Sequence, residues 1–257
     1  MNMAKPKVAL SYGHGSNTYK DKKSKAVLVS GKVYEEHTFN AKVGEMVRKI
    51  IEKYVDVLVL QPPNGKDVPL KTRTDRANSW GADLYWSIHA NAADPKTRGY
   101  TAFYWSTSKD GAKLANEFAD NLMKAKFPLY HGGAYPSVKG TWNDFHELRE
   151  TKMPAILTEN GFMTNKEDFK QIFLNEGQAH EKLAAVHAKT ILGYFGIKYE
   201  PDPVKAPIKK PDNGSKEIYR VIVDGKQVGA YSDPTNLASN VFNNLKKDPK
   251  KIIIERV

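Results

Sequence analysis

The chain contains no cysteine. Disulfides, thiolate metal sites and cysteine nucleophiles are therefore excluded, and any metal must be held by histidine, carboxylate and water. No stretch approaches the roughly 18 apolar residues of a membrane-spanning helix, so membrane insertion is not expected. The opening MNMAKPKVAL carries no apolar run of a secretory leader. The expectation is a product made in the cytoplasm, which needs another agent to release it if it works beyond the membrane. Acidic residues are in deficit, 29 Asp and Glu against 40 Lys and Arg, for a formal net charge of +11. That balance suits a polyanion such as nucleic acid, anionic lipid or a wall polymer. No zinc-finger or RNA-binding fingerprint accompanies it, so nucleic acid is not expected as a partner.

What is present is an ordinary globular balance, 40% hydrophobic and 27% charged, enough to bury a core in one or two domains. The stretch 200–216, EPDPVKAPIKKPDNGSK, has four prolines and almost no large apolar residue, and reads as a semi-rigid spacer. It divides a first domain, 1–199, from a second, 217–257. In the first, strand and helix signals alternate. VAL at 8–10 leads into the glycines of SYGHGS. Phe39, Val43, Met46, Val47, Ile50 and Ile51 recur at helical spacing. VDVLVLQ is strand-like, LKTRTDRANSW helical, and ADLYWSIHANA a buried strand running into a loop. YTAFYW is a strand, Leu114 to Met123 a helical stripe, PAILTE a strand, and helices follow at about 166–174 and 177–195. The fold class implied is α/β, a mostly parallel sheet with helices on both faces, whose sites gather beyond the carboxyl ends of the strands.

In the second domain EIYRVIV alternates as a strand, Asp224-Gly225 signals a tight hairpin, and KQVGAY returns. Asp233-Pro234 reads as the start of a helix, with Leu237, Val241, Phe242 and Leu245 on its apolar face, and KIIIERV closes as a strand. A ββαβ unit of this size has a marginal core, which predicts that it leans on a partner or dimerises.

Three chemistry-bearing residues fall at predicted strand ends: His14, His89 and Glu159. Each alone has an ordinary structural reading. Together, two strand-end histidines and a carboxylate from a nearby helix start make a His₂Glu set, the kind of three-ligand site that zinc hydrolases use while leaving a fourth position open. Glu159, after a buried apolar strand, is the best acid/base candidate; a helix cap or an ion pair is its alternative. His131, in the Gly/Pro-rich loop YHGGAYPS, is a candidate for substrate contact. His180 and His187 read as packing or surface residues.

GHG at 13–15, Glu36 with Asn40 four residues on, LKTRTDRANSWGADLYWSIHANA and ELRETKMPAILTENGFMTN occur in the order found in the zinc N-acetylmuramoyl-L-alanine amidases of the third amidase family, which includes bacterial autolysins and phage endolysins. The resemblance covers about residues 6–196. It implies zinc held by His14, Glu36 and His89, Glu159 as the catalytic acid/base, and Asn91 as a substrate contact. Two features depart from the family pattern. SYGHGS stands where many relatives have Asp-Pro-Gly-His-Gly, so an Asp that would orient the histidine is missing. The insertion YKDKKSKAVLVS leaves adjacent Glu35 a rival of Glu36. The C-terminal segment resembles short wall-binding modules of Bacillus phage endolysins, which implies an anionic cell-wall polymer as its partner.

The function implied is hydrolysis of the amide between N-acetylmuramic acid and L-alanine in peptidoglycan, by a phage endolysin released through a holin-type hole. A secreted or mother-cell autolysin, a zinc peptidase of the stem peptide and a non-enzymatic wall-binding protein are the alternatives.

Overall fold

The computed structural model describes residues 4–22, 24–199, 219–231 and 251–256, together with Leu237, Asn240, Val241 and Asn244. The chain divides into two compact units, Met1–Val204 and Lys205–Val257. The spacer read at 200–216 and the helix start read at Asp233-Pro234 lie outside the described residues.

The first unit is built on a six-stranded sheet formed by β1 (Lys7–Tyr12), β4 (Asp56–Val59), β5 (Leu84–Asn91), β6 (Tyr100–Trp105), β7 (Leu129–Ser137) and β8 (Ala155–Phe162). Their order is β4-β1-β5-β8-β6-β7. All neighbours are parallel except β6 and β8. Both faces are covered. Val8, Leu10, Leu84, Trp86, Ile88 and Ile156 point into one layer with α2 (Glu36–Ile51), α4 (Lys109–Lys124) and α7 (Glu176–Tyr194). Ala9, Tyr85, Phe103, Ala155 and Leu157 point into the other, under α3 (Leu70–Trp80) and α5 (His146–Arg149). Double coverage explains why β5 reads as a continuous apolar run instead of an alternation.

The period-2 alternation of strands puts Ser11, Ser87, His89 and Glu159 on the α3/α5 face, in the rows begun by Ala9, Tyr85 and Leu157. Close approach of α2 to β1 depends on Gly44, where a Cβ would sit 2.2 Å from the Tyr12 ring.

Two segments differ from the sequence reading. YHGGAYPS is part of strand β7, at the sheet edge where Pro136 needs no ladder donor on its outer side. The insertion 19–30 contributes to α1 (Thr18–Lys22) and supplies β2 (Ala26–Val29), which forms a hairpin with β3 (Lys32–Glu35) just beyond it. Helix α6 (Lys166–Phe169) continues into a π-helical turn, Lys170–Leu174.

In the second unit β9 (Tyr219–Val223), β10 (Lys226–Tyr231) and β11 (Ile252–Arg256) pair antiparallel in the order β10-β9-β11. Asp224 and Gly225 both take positive φ, 49° and 82°, as a type I′ turn requires. Val221, on the central strand β9, is buried.

Candidate metal centre

Two histidines arrive from strand ends and one carboxylate from a helix start. His14 follows β1 on a loop braced by Ser16 N–H on the Gly65 carbonyl (2.9 Å) and Asp67 N–H on Asn17 Oδ1 (2.7 Å). His89 lies near the end of β5, still buried. Its ring lies against Gly13, where a Cβ would be 2.2 Å from Cε1, so only glycine allows the two strand ends to approach this closely. Glu36 is the first residue of α2, and its N–H is held by the Lys25 carbonyl at 2.9 Å.

One ligand atom from each of His14, Glu36 and His89 lies within 4.8 Å of the others. Glu36 Oε1 accepts from Asn40 Nδ2 (3.1 Å) and the Ala90 N–H (3.2 Å) and faces His89 Nδ1 at 3.1 Å. Glu36 Oε2 lies 3.3 Å from His14 Nε2; both atoms are buried and have no hydrogen-bond partner. Ligands about 2.0–2.1 Å from a tetrahedral zinc ion stand about 3.4 Å apart, close to these separations. Converging, unsatisfied imidazole and carboxylate atoms fit a borderline cation such as zinc. Glu35 goes elsewhere, with Oε2 3.3 Å from His37 Nδ1.

Glu159 stands beside His89 on the neighbouring strand, at the same register. The residue is partly exposed, but its Oε2 is buried and unpartnered. Burial pushes its pKa up to about 7, with Glu36 adding to the rise and His89 and Lys25 opposing it. Glu36 shows the opposite balance. Burial works to raise its pKa, but His14 and His89 outweigh it and hold the carboxyl well below the usual range. Burial alone would lower the His89 pKa, yet the neighbouring carboxylates of Glu147 and Glu36 carry it up to about 9. A bound metal needs these imidazoles unprotonated and displaces such protons.

The remaining sequence candidates are not part of the cluster. The Asn91 side chain accepts from the Ala92 N–H (2.8 Å), and its carbonyl accepts from Met163 N–H (2.7 Å). His131, at φ 48°, lies tilted between the Tyr130 and Tyr135 rings on the edge strand β7. His187 is fully buried between Trp86 Nε1–H and Asn160 Oδ1, both at 3.0 Å; burial lowers its pKa to about 3. The sequence reading passed over Arg73 and Glu147, both buried on the α3/α5 side of His89; isolated charges in polar helices carry no burial signal.

A family model described as N-acetylmuramoyl-L-alanine amidase matches residues 8–192. The chain is 29% identical over 222 residues to the sporulation-specific N-acetylmuramoyl-L-alanine amidase of Bacillus subtilis (strain 168), covering 82% of this chain and 74% of that protein. It is 29% identical over 196 residues to the endolysin of Bacillus phage SPP1, covering 70% and 67%. Among solved structures, the catalytic domain of CwlV, an N-acetylmuramoyl-L-alanine amidase from Bacillus (Paenibacillus) polymyxa var. colistinus, superposes with a TM-score of 0.61 at 24% identity, over 75% of this chain and 99% of that one. An N-acetylmuramyl-L-alanine amidase from Mycobacterium smegmatis gives 0.64 at 23%, over 76% and 99%. These two likenesses are of fold.

Proposed function

Because the chain belongs to the N-acetylmuramoyl-L-alanine amidase family, matched over residues 8–192, we propose that it cuts the lactyl–alanine amide of peptidoglycan with zinc held by His14, Glu36 and His89 and with Glu159 as acid/base. The observation that carries this reading is the convergence of those three ligand atoms within 4.8 Å, with Glu159 in register beside His89.

When bound, zinc lowers the pKa of a coordinated water from about 15.7 to about 7 and polarises the scissile carbonyl. The protein's own groups do the rest. Asn40 Nδ2 and the Ala90 N–H fix the Glu36 carboxylate through Oε1. The Glu159 carboxylate takes a proton from the attacking water as oxygen adds to the amide carbon. It then delivers that proton to the alanine nitrogen as the C–N bond breaks. The products are a lactyl carboxylate on the glycan and a free amine on the stem peptide.

Digestion of purified sacculi followed by mass spectrometry tests the reaction. Muramic acid with a free lactyl carboxylate beside intact stem peptides is the expected outcome. Cleaved stem peptides would assign the site to a peptidase.

The proposal extends to biology and to the second unit. Likeness to a phage endolysin supports a role in host lysis. Expression inside a Bacillus cell should leave it intact until the membrane is permeabilised, when lysis follows. Likeness to a sporulation-specific amidase over 82% of the chain supports mother-cell lysis as the second reading. The 217–257 module, in a chain of net charge +11, is proposed to bind an anionic wall polymer and so raise local enzyme concentration by tethering.

A further inference from the structure

Glu147 is a carboxylate buried behind the metal centre, 3% exposed, with no place in the reaction described above. Its surroundings are ordered and directional. Ser11 Oγ donates to Oε1 at 3.0 Å, and Tyr85 OH donates to the same oxygen. Ser87 Oγ lies 3.4 Å from both oxygens. Arg73 Nη1 stands 4.0 Å from Oε1 and donates to Ser11 Oγ at 3.0 Å. An ionised carboxylate only accepts, so Ser11, Tyr85 and Ser87 bond to Glu147 as donors.

That polarity has a consequence for His89. Ser87 Oγ lies 3.1 Å from His89 Nε2, while Glu147 Oε2 itself is 3.8 Å away, too far for a direct hydrogen bond. With its hydrogen committed to Glu147, the Ser87 oxygen can only accept. His89 Nε2 must then carry the ring proton, and the lone pair of the neutral imidazole falls on Nδ1. Nδ1 is the atom that faces Glu36, at 3.1 Å.

We propose that Glu147 is a positioning residue that, through the Ser87 hydroxyl, fixes His89 in the tautomer whose Nδ1 lone pair faces the metal position. The inference rests on the metal-site reading given above. The Ser11 and Tyr85 hydroxyls on Oε1 and the Arg73 guanidinium 4.0 Å away accord with a charged carboxylate at this buried position.

The test is Glu147→Gln in the full chain, read as zinc affinity by competition with a chromophoric chelator, and as the visible spectrum of the cobalt-substituted protein. Glutamine keeps the shape and one acceptor, but its amide can donate to Ser87 and reverse the relay. The expected result is a fall in zinc affinity of about 10- to 100-fold, the usual effect of losing an outer partner of a ligating histidine, with a shifted cobalt spectrum. A purely structural role would lower the melting temperature of metal-free and zinc-loaded protein alike and leave affinity unchanged. Should Glu147→Gln not fold, Ser87→Ala reads the same relay, with a loss expected in the same range. Wild-type zinc affinity in the folded variant overturns the role of Glu147. Failure of the wild-type chain to bind zinc overturns the metal-site reading itself.

Discussion

Gly13→Ala isolates the geometric requirement of the site, because the change adds one methyl group and no charge. A Cβ at Gly13 would lie 2.2, 2.3 and 2.6 Å from Cε1, Nδ1 and Nε2 of His89, where ordinary contact begins near 3.4 Å. The ring must therefore retreat by about 1 Å, away from the place where its nitrogens face Ser87 Oγ at 3.1 Å and Glu36 Oε1 at 3.1 Å. Overpacking of this kind costs about 1–3 kcal/mol of stability. The functional effect is larger, because a misplacement of about 1 Å at a catalytic group costs on the order of 10²-fold in rate. Dye release from labelled peptidoglycan, with thermal unfolding in parallel, measures both. Gly177→Ala is the control, since a Cβ there meets nothing within 4 Å; its activity should match wild type. Gly13→Ala with activity within threefold of wild type would refute the claim that His89 must stand where it does.

Glu159→Gln is expected to cut turnover by about 10²- to 10⁴-fold while bound zinc stays stoichiometric; loss of the metal would instead make Glu159 a ligand. In chelator-stripped protein the folded state holds Glu159 protonated to about pH 7, whereas the unfolded chain releases that proton near 4.5. The stability this group contributes is therefore present below 4.5 and lost as pH rises through 7. Relative to wild type, metal-free Glu159→Gln should gain stability between pH 5 and 8 in urea titrations, and a constant difference would contradict the shift. His187 runs the other way, with a folded pKa lowered to about 3 from 6.5. Its contribution is present above 6.5 and falls by up to about 1.4 kcal/mol per pH unit as acid protonates the unfolded chain. His187→Gln should flatten acid unfolding over pH 6.5–3, and an unchanged acid limb would rule out this buried neutral histidine.

The elements that carry the site were legible because their signals are local and periodic. LKTRTDRANSW and YTAFYW match α3 and β6 residue for residue, and a double-buried strand such as β5 declares itself by a continuous apolar run. The convergence of His14, Glu36 and His89 could be expected from strand-end placement and from family resemblance, and the structure brings these three together. Choosing Glu36 over Glu35 needed coordinates, since Glu35 ends β3 in extended conformation while Glu36 opens α2, and only the structure shows which carboxylate turns toward the histidines. Edge strand β7 was hidden by its glycines and proline, which are loop signals except where the ladder needs no donor. The hairpin at 26–35 was hidden because its strands are four residues long and half exposed. The Arg73 and Glu147 network was invisible for a deeper reason. Charged residues in polar helices give no sign of facing inward, and their burial depends on partners supplied by β1 and β5.

The central claim is that one divalent ion sits between His14, Glu36 and His89. Anomalous diffraction at the zinc edge from crystals of the zinc-loaded chain tests it most directly. The account predicts a single strong peak bonded by two imidazole nitrogens and one carboxylate oxygen at about 2.0–2.2 Å, with a remaining position open toward Glu159. A peak elsewhere, or none at this centre in protein that is active and saturated with zinc, would contradict it.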